Sequence, residues 1–142
     1  MSSKEVRQAI NTEVTTLSSP WPVFDISDYT TLAEVLDSLS GEAVLIQYVV
    51  ADDQVQSIGG YGNQGWEETG TVVLHLVVPT GFDSAPVVTK GDAIRDGIRG
   101  KRLTSEVVVE SCSPFVDFGG GGIDGAVHSW TANIFYTRRT CG

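Results

Sequence analysis

Residues 66–103 constrain the fold of this chain more than any other stretch. A polar, glycine-rich lead-in ends in Trp66-Glu67-Glu68-Thr69-Gly70. The run Thr71-Val72-Val73-Leu74-His75-Leu76-Val77-Val78 follows, and Pro79 stops it. A short, branched apolar run bounded by glycine and proline predicts a strand. Val72, Leu74, Leu76 and Val78 then share one face, with Val73, His75 and Val77 on the other. A turn over Thr80-Gly81-Phe82-Asp83 leads into a helix from Ser84 that fades by Leu103. In that helix Val87, Gly91, Ile94 and Ile98 form the apolar stripe. Pro86 falls in the first turn, where its missing N–H is no loss. Gly91, Gly97 and Gly100 each weaken the helix by roughly 1 kcal/mol relative to Ala, so docking on a sheet must hold it. Gly91, on the stripe, allows that docking to be close. The expectation is a central strand feeding a helix that lies back across the sheet.

The remaining segments build outward from this unit. Residues 2–17 read as an amphipathic helix with Val6, Ile10, Val14 and Leu17 in one stripe and a capping box from Ser2 to Glu5. Trp21-Pro22-Val23-Phe24 is short and extended, and Pro22 confines it to an edge or a turn. Thr31 and Glu34 open a second helix with Leu32, Val35, Leu36 and Leu39, stopped by Gly41. Residues 43–51 form an apolar strand covered on both faces, or on one face by core and on the other by a partner. Asp52-Asp53 turns the chain into a second, more polar strand over residues 54–58, and residues 59–65 are an exposed loop. Residues 106–118 read as one long strand, with Val107 and Val109 alternating against Val108 and Cys112. Residues 119–125 are a loop. In residues 126–137, Trp130, Ala132, Ile134 and Tyr136 alternate with Ser129, Thr131 and Asn133. The order predicts an α+β fold: a mostly antiparallel sheet with an N-terminal helix and a main helix packed on one face.

A chain of 142 residues without a linker or repeat is a single domain, 1–142, and its 41% hydrophobic content supports a packed core. The 18 acidic residues against 9 basic ones disfavour free-standing nucleic-acid binding, which rests on Lys and Arg neutralising phosphates. The same charge suits plain solubility or a surface that nucleic acid passes without sticking. Cys112 and Cys141 read as free thiols, a bond between them being the minority alternative. The polar start is not a signal peptide, and no apolar run reaches the length of a membrane helix. A reducing cytoplasm is the expected place of synthesis and assembly.

No motif carries catalytic chemistry. The run Gly119-Gly120-Gly121-Gly122 lacks the Lys-Ser/Thr and the helix of a phosphate loop, and reads as a hairpin tip. His75 and His128 sit in strands without a partner at ligand spacing, and no Gly-x-Ser-x-Gly occurs. Asp52-Asp53 and Asp25/Asp28 match no calcium loop and read as turn residues. Trp66 beside Glu67 and Glu68 stands between two equal readings, core packing and partner contact. No catalytic, cofactor or metal residue is assigned.

Several segments together carry a family resemblance. They are Trp21-Pro22-Val23 after an N-terminal helix, then Gln56-Ser57-Ile58-Gly59, then the run from Trp66 to Leu74. The Val78-Pro79-Thr80-Gly81 turn, the helix with Ala93-Ile94-Arg95-Asp96, and a tryptophan-bearing last strand ending in Phe135-Tyr136 complete the pattern. In this order the chain resembles the tail terminator (tail tube completion) proteins of long-tailed bacteriophages, the group that includes the lambda minor tail protein U. The resemblance implies a non-enzymatic virion protein without a cofactor, forming a homo-hexameric ring on the tail tube protein. Such a ring ends tube polymerisation and meets the head-completion (stopper) protein, while DNA passes through its lumen. The expected partner-facing residues are Tyr61, Asn63, Gln64, Trp66, Glu67 and Glu68 in one loop. Gly119, Gly120, Gly121, Gly122 and Asp124 form the other. The alternatives are another head–tail connector or tube-like ring protein and, from a different class, a small acidic enzyme or ligand-binding domain using His75 or His128.

Overall fold

The computed structural model describes residues 4–19, 21–26, 41–58, 64–79, 85–119 and 127–141. Helix α1 (Lys4–Ser18) is followed by β1 (Val23–Asp25), β2 (Ala43–Ile58), β3 (Gln64–Pro79) and helix α2 (Ala85–Ile98). Strands β4 (Val107–Cys112), β5 (Val116–Gly119) and β6 (Val127–Cys141) complete the order. The strands make one sheet, β1-β2-β3-β6-β4, with β5 also paired to β6. Among the described strands only β1 runs parallel to its neighbour; the other pairings are antiparallel. The result is an α+β fold with both described helices on one face of a mostly antiparallel sheet.

Hydrophobic periodicity explains how the layers meet. Val6, Ile10 and Val14 of α1 and Val87, Ile94 and Ile98 of α2 are buried. They join Val44 and Ile46 of β2, Leu74 and Leu76 of β3, and Ile134 and Tyr136 of β6 in the main core. The alternation expected in β3 and β6 is therefore the one observed. A Cβ added to Gly91 would lie 3.1 Å from Phe115 and 3.2 Å from Leu76, so α2 sits as close to the sheet as its stripe implied. On the opposite face Ala43, Leu45, Val77 and Ile26 form a smaller buried cluster against Phe24. The apolar start of β2 is thus covered on both sides. Pro22, next to the edge strand, still contributes its carbonyl, which accepts from the Val44 N–H at 2.9 Å.

Four expectations are corrected. The chain does not turn at Asp52-Asp53: β2 continues through both residues to Ile58, paired throughout with β3. Aspartate favours turns locally, but here the inter-strand ladder prevails, with bulges at Tyr48/Val50 and Val55/Ser57. Residues 106–118 are two strands, because Pro114 has no N–H to continue the ladder. Just before it, Ser113 still bonds Asn133 through both its backbone N–H and its Oγ. A bulge at Val109/Ser111 brings Cys112 onto the buried face with Val107 and Val109, rather than opposite them. Gly100, finally, lies beyond the end of α2 with a φ of 70°, the left-handed conformation that ends helices at little cost to glycine. The second helix expected over residues 31–39 and the turn over residues 80–83 lie outside the described residues.

Candidate interaction surface

The structure separates the two groups of expected contact residues. Tyr61, Asn63, Gly120, Gly121, Gly122 and Asp124 lie outside the described residues. Gln64, Trp66, Glu67 and Glu68 are not loop residues; they form the first part of β3, between β2 and β6. Gly119 likewise ends β5, opposite Ser129. Gly65 pairs with Cys141 at one end of the sheet, and Val77 with Ser129 toward the other. At about 3.3 Å per residue these points are about 40 Å apart, which separates Gly65 from Gly119 along the sheet.

Cross-strand chemistry keeps the polar half of β3 in the sheet. Glu67 accepts from Arg139 Nε at 2.9 Å, and Glu68 Oε2 accepts from the Tyr136 hydroxyl at 2.7 Å. Register places Tyr136 beside Gly70, where a buried aromatic ring compensates for the missing side chain. Arg138 stands opposite Glu68 and binds Glu106 at 3.1 Å and Glu5 of α1 at 3.7 Å. Opposite charges paired in this way support a strand that burial alone does not.

Polar anchors fix α1 on the sheet. The Tyr48 hydroxyl donates to Asn11 Oδ1 at 2.8 Å, with the Arg7 carbonyl a second acceptor at 3.1 Å. The Arg7 guanidinium lies 4.8 Å from the Tyr48 ring centroid and 3.9 Å from Asp25. Burial, reinforced by Asp25, raises the pKa of the Tyr48 phenol, so it stays a neutral donor. Lys101 pairs with Glu13, joining the loop after α2 to α1.

The groups suited to catalysis are dispersed. His75 Nδ1 lies 2.9 Å from Thr131 Oγ1, and burial lowers its pKa. A neutral imidazole bonded to a hydroxyl is the structural arrangement expected for it. His128 pairs with Val78 across the strands. Cys112 is a buried free thiol whose pKa burial pushes up to about 11. Among the described residues no group of three His, Cys, Asp or Glu side chains is placed to hold a metal ion. An open groove of roughly 500 Å3 between α1 and residues 103–106 includes Glu5 and Glu106, both held by Arg138.

Exposed apolar residues mark a different surface. Val116 (57% exposed) and Phe135 (45%) lie on the sheet face opposite α1 and α2. Val49 (50%) sits at the bulge beside Tyr48. Sequence reading expected none of the three to be an exposed contact residue. The odd phase of β6 does predict Phe135 off the core face, and that large aromatic in an otherwise polar phase was the available signal. Among the described residues no helix is long and apolar enough to cross a membrane.

Comparisons with known proteins bear on the fold alone. No family model matches the chain, and no curated protein matches it. A solved structure whose name states no activity is similar over 97% of this chain and 96% of its own length, at 16% identity and a TM-score of 0.55. That similarity extends to the whole α+β arrangement, helices and sheet together.

Proposed function

We propose that this chain is a virion structural protein of the tail terminator type. Copies form a ring that caps the tail tube, ends its polymerisation and joins the tail to the head-completion protein. The observation that supports this best is the make-up of the sheet face opposite α1 and α2, where Phe135 and Val116 stand exposed. Large apolar side chains on a rigid, sheet-borne surface suit contact with another protein. The order of elements along the sequence supplies the family, and the concentration of carboxylates suits a lumen through which DNA slides without specific binding.

Gold labelling of an affinity tag on this chain in intact particles, read by electron microscopy, tests the proposal. Label at the head–tail junction is the expected result. Label along the tube or at the distal tip would keep a virion role and remove the terminator assignment. Absence from particles that display an accessible tag would overturn the structural reading. An enzyme built on His75 would then return, recognisable by a histidine-like inflection in its pH–rate profile that His75→Ala removes.

A further inference from the structure

The two helices are held against the sheet by different chemistry. The seam of α2 is apolar: Val87, Gly91, Ile94 and Ile98 are its buried residues, and Gly91 lets it approach Phe115 and Leu76 closely. The buried positions of α1 are Val6, Ile10, Val14 and Ser18, each four residues after the last. A hydroxyl thus stands where the stripe calls for a fourth apolar side chain. Ser18 is fully buried, and its Oγ has no hydrogen-bond partner. Arg7 Nε is likewise buried without a partner. A buried polar atom left unpaired has lost its water and gained nothing in return. Among the described residues only Ser129 Oγ shares this state, so two of three such atoms lie in α1 and none in α2.

The polar anchors place α1 but add little holding power. Arg7 meets Asp25 only at 3.9 Å, and Arg138 meets Glu5 at 3.7 Å with the Glu5 side chain 59% exposed. Lys101, the partner of Glu13, is half exposed. Long or exposed ion pairs of this kind contribute little. One flank of α1 is also unsealed. The open groove runs between Gln8, Ala9 and Thr12 on the helix and Leu103, Thr104 and Ser105 on the segment after α2. That segment is itself fixed: Leu103 N–H donates to the Val107 carbonyl and Val109 N–H to the Lys101 carbonyl, both at 2.9 Å, so it covers the outer side of β4.

We infer that α1 is a detachable cover, which leaves the sheet as a unit while β2, β3, β6 and α2 stay in place. Opening returns Ser18 Oγ and Arg7 Nε to water. It also uncovers the face of β2 that carries Tyr48, with Val44 and Ile46 in the same phase. The closed state dominates, because opening exposes Val6, Ile10 and Val14 as well. The open state is the minor, locally unfolded form that amide exchange detects. This opening depends on the packing of α1 and not on the ring reading above.

Native-state hydrogen exchange of the full chain, at urea concentrations below the unfolding transition, tests it. Amides of residues 10–14 are expected to exchange at least about tenfold faster than those of residues 72–78. Their rates should also respond more weakly to urea, because the opening exposes only part of the surface. Amides of residues 91–98 in α2 should follow β3 rather than α1. Ser18→Ala removes the unpaired hydroxyl and leaves a side chain that suits the stripe, so it should slow exchange in α1 by about threefold or more. A single rate and urea slope for α1, α2 and residues 72–78 would overturn the inference, since α1 would then open only with the whole fold. Joint opening of α1 and α2 ahead of the sheet would overturn it too, as would a Ser18→Ala chain whose α1 exchanges as fast as wild type. Label at the head–tail junction alongside any of these failures would leave the ring reading standing.

Discussion

The two halves of β3 hold their place in the sheet for different reasons. From Val72 to Val78 alternate residues are buried under α1 and α2, and the strand follows from where its apolar side chains go. From Gly65 to Gly70 the same strand is glycine-containing and charged, yet it pairs on both sides, with a single bulge in β2 at Val55/Ser57. Here the ladder and the pairs Glu67–Arg139 and Glu68–Tyr136 do what burial does in the first half. The comparison teaches that the core half determines whether the chain folds. The polar half leaves charge on the surface, where a partner can read it.

This division is open to tests of decreasing size. Leu74→Ala, in the buried half, should cost about 2–5 kcal/mol, read from urea unfolding with an unchanged m-value. A loss under about 1 kcal/mol would break the comparison. Tyr48→Phe removes the hydroxyl that binds Asn11 while leaving the ring in the core, and should cost about 1 kcal/mol. Glu67→Gln, in the polar half, should cost no more than about 1 kcal/mol, since its partner Arg139 is 75% exposed.

His75 adds a dependence on pH whose sign follows from its environment. Burial lowers its pKa in the folded chain below the ordinary 6.5. The unfolded chain therefore takes up the proton first as pH falls. The stabilisation from holding the ring neutral is complete above about pH 6.5 and declines as pH drops from there toward the folded pKa. Unfolding midpoints measured between pH 7 and pH 5 should fall further for the wild type than for His75→Gln. Equal falls would place the ring in a more solvated setting than the Thr131 bond implies.

Much of the buried half was legible in the sequence, since burial leaves a period. Val87, Gly91, Ile94 and Ile98 were read as the stripe of α2, and Trp130, Ala132, Ile134 and Tyr136 as the core face of β6. The polar half was misread for a physical reason. Asp52-Asp53 and the run through Gly65 to Gly70 carry turn-like residues, and what keeps them extended is pairing with strands distant in sequence. Glu67 and Glu68 were read as loop residues, whereas they lie in β3 between β2 and β6. That placement and the cover over β4 depend on which strands become neighbours, and no local pattern records that.

Hydrogen–deuterium exchange on the free chain tests the central claim most directly. The account predicts that amides from Val72 to Val78 exchange slowest, through global unfolding, while those from Gly65 to Gly70 exchange faster, through local opening. Uniform protection along the whole of β3 would contradict it.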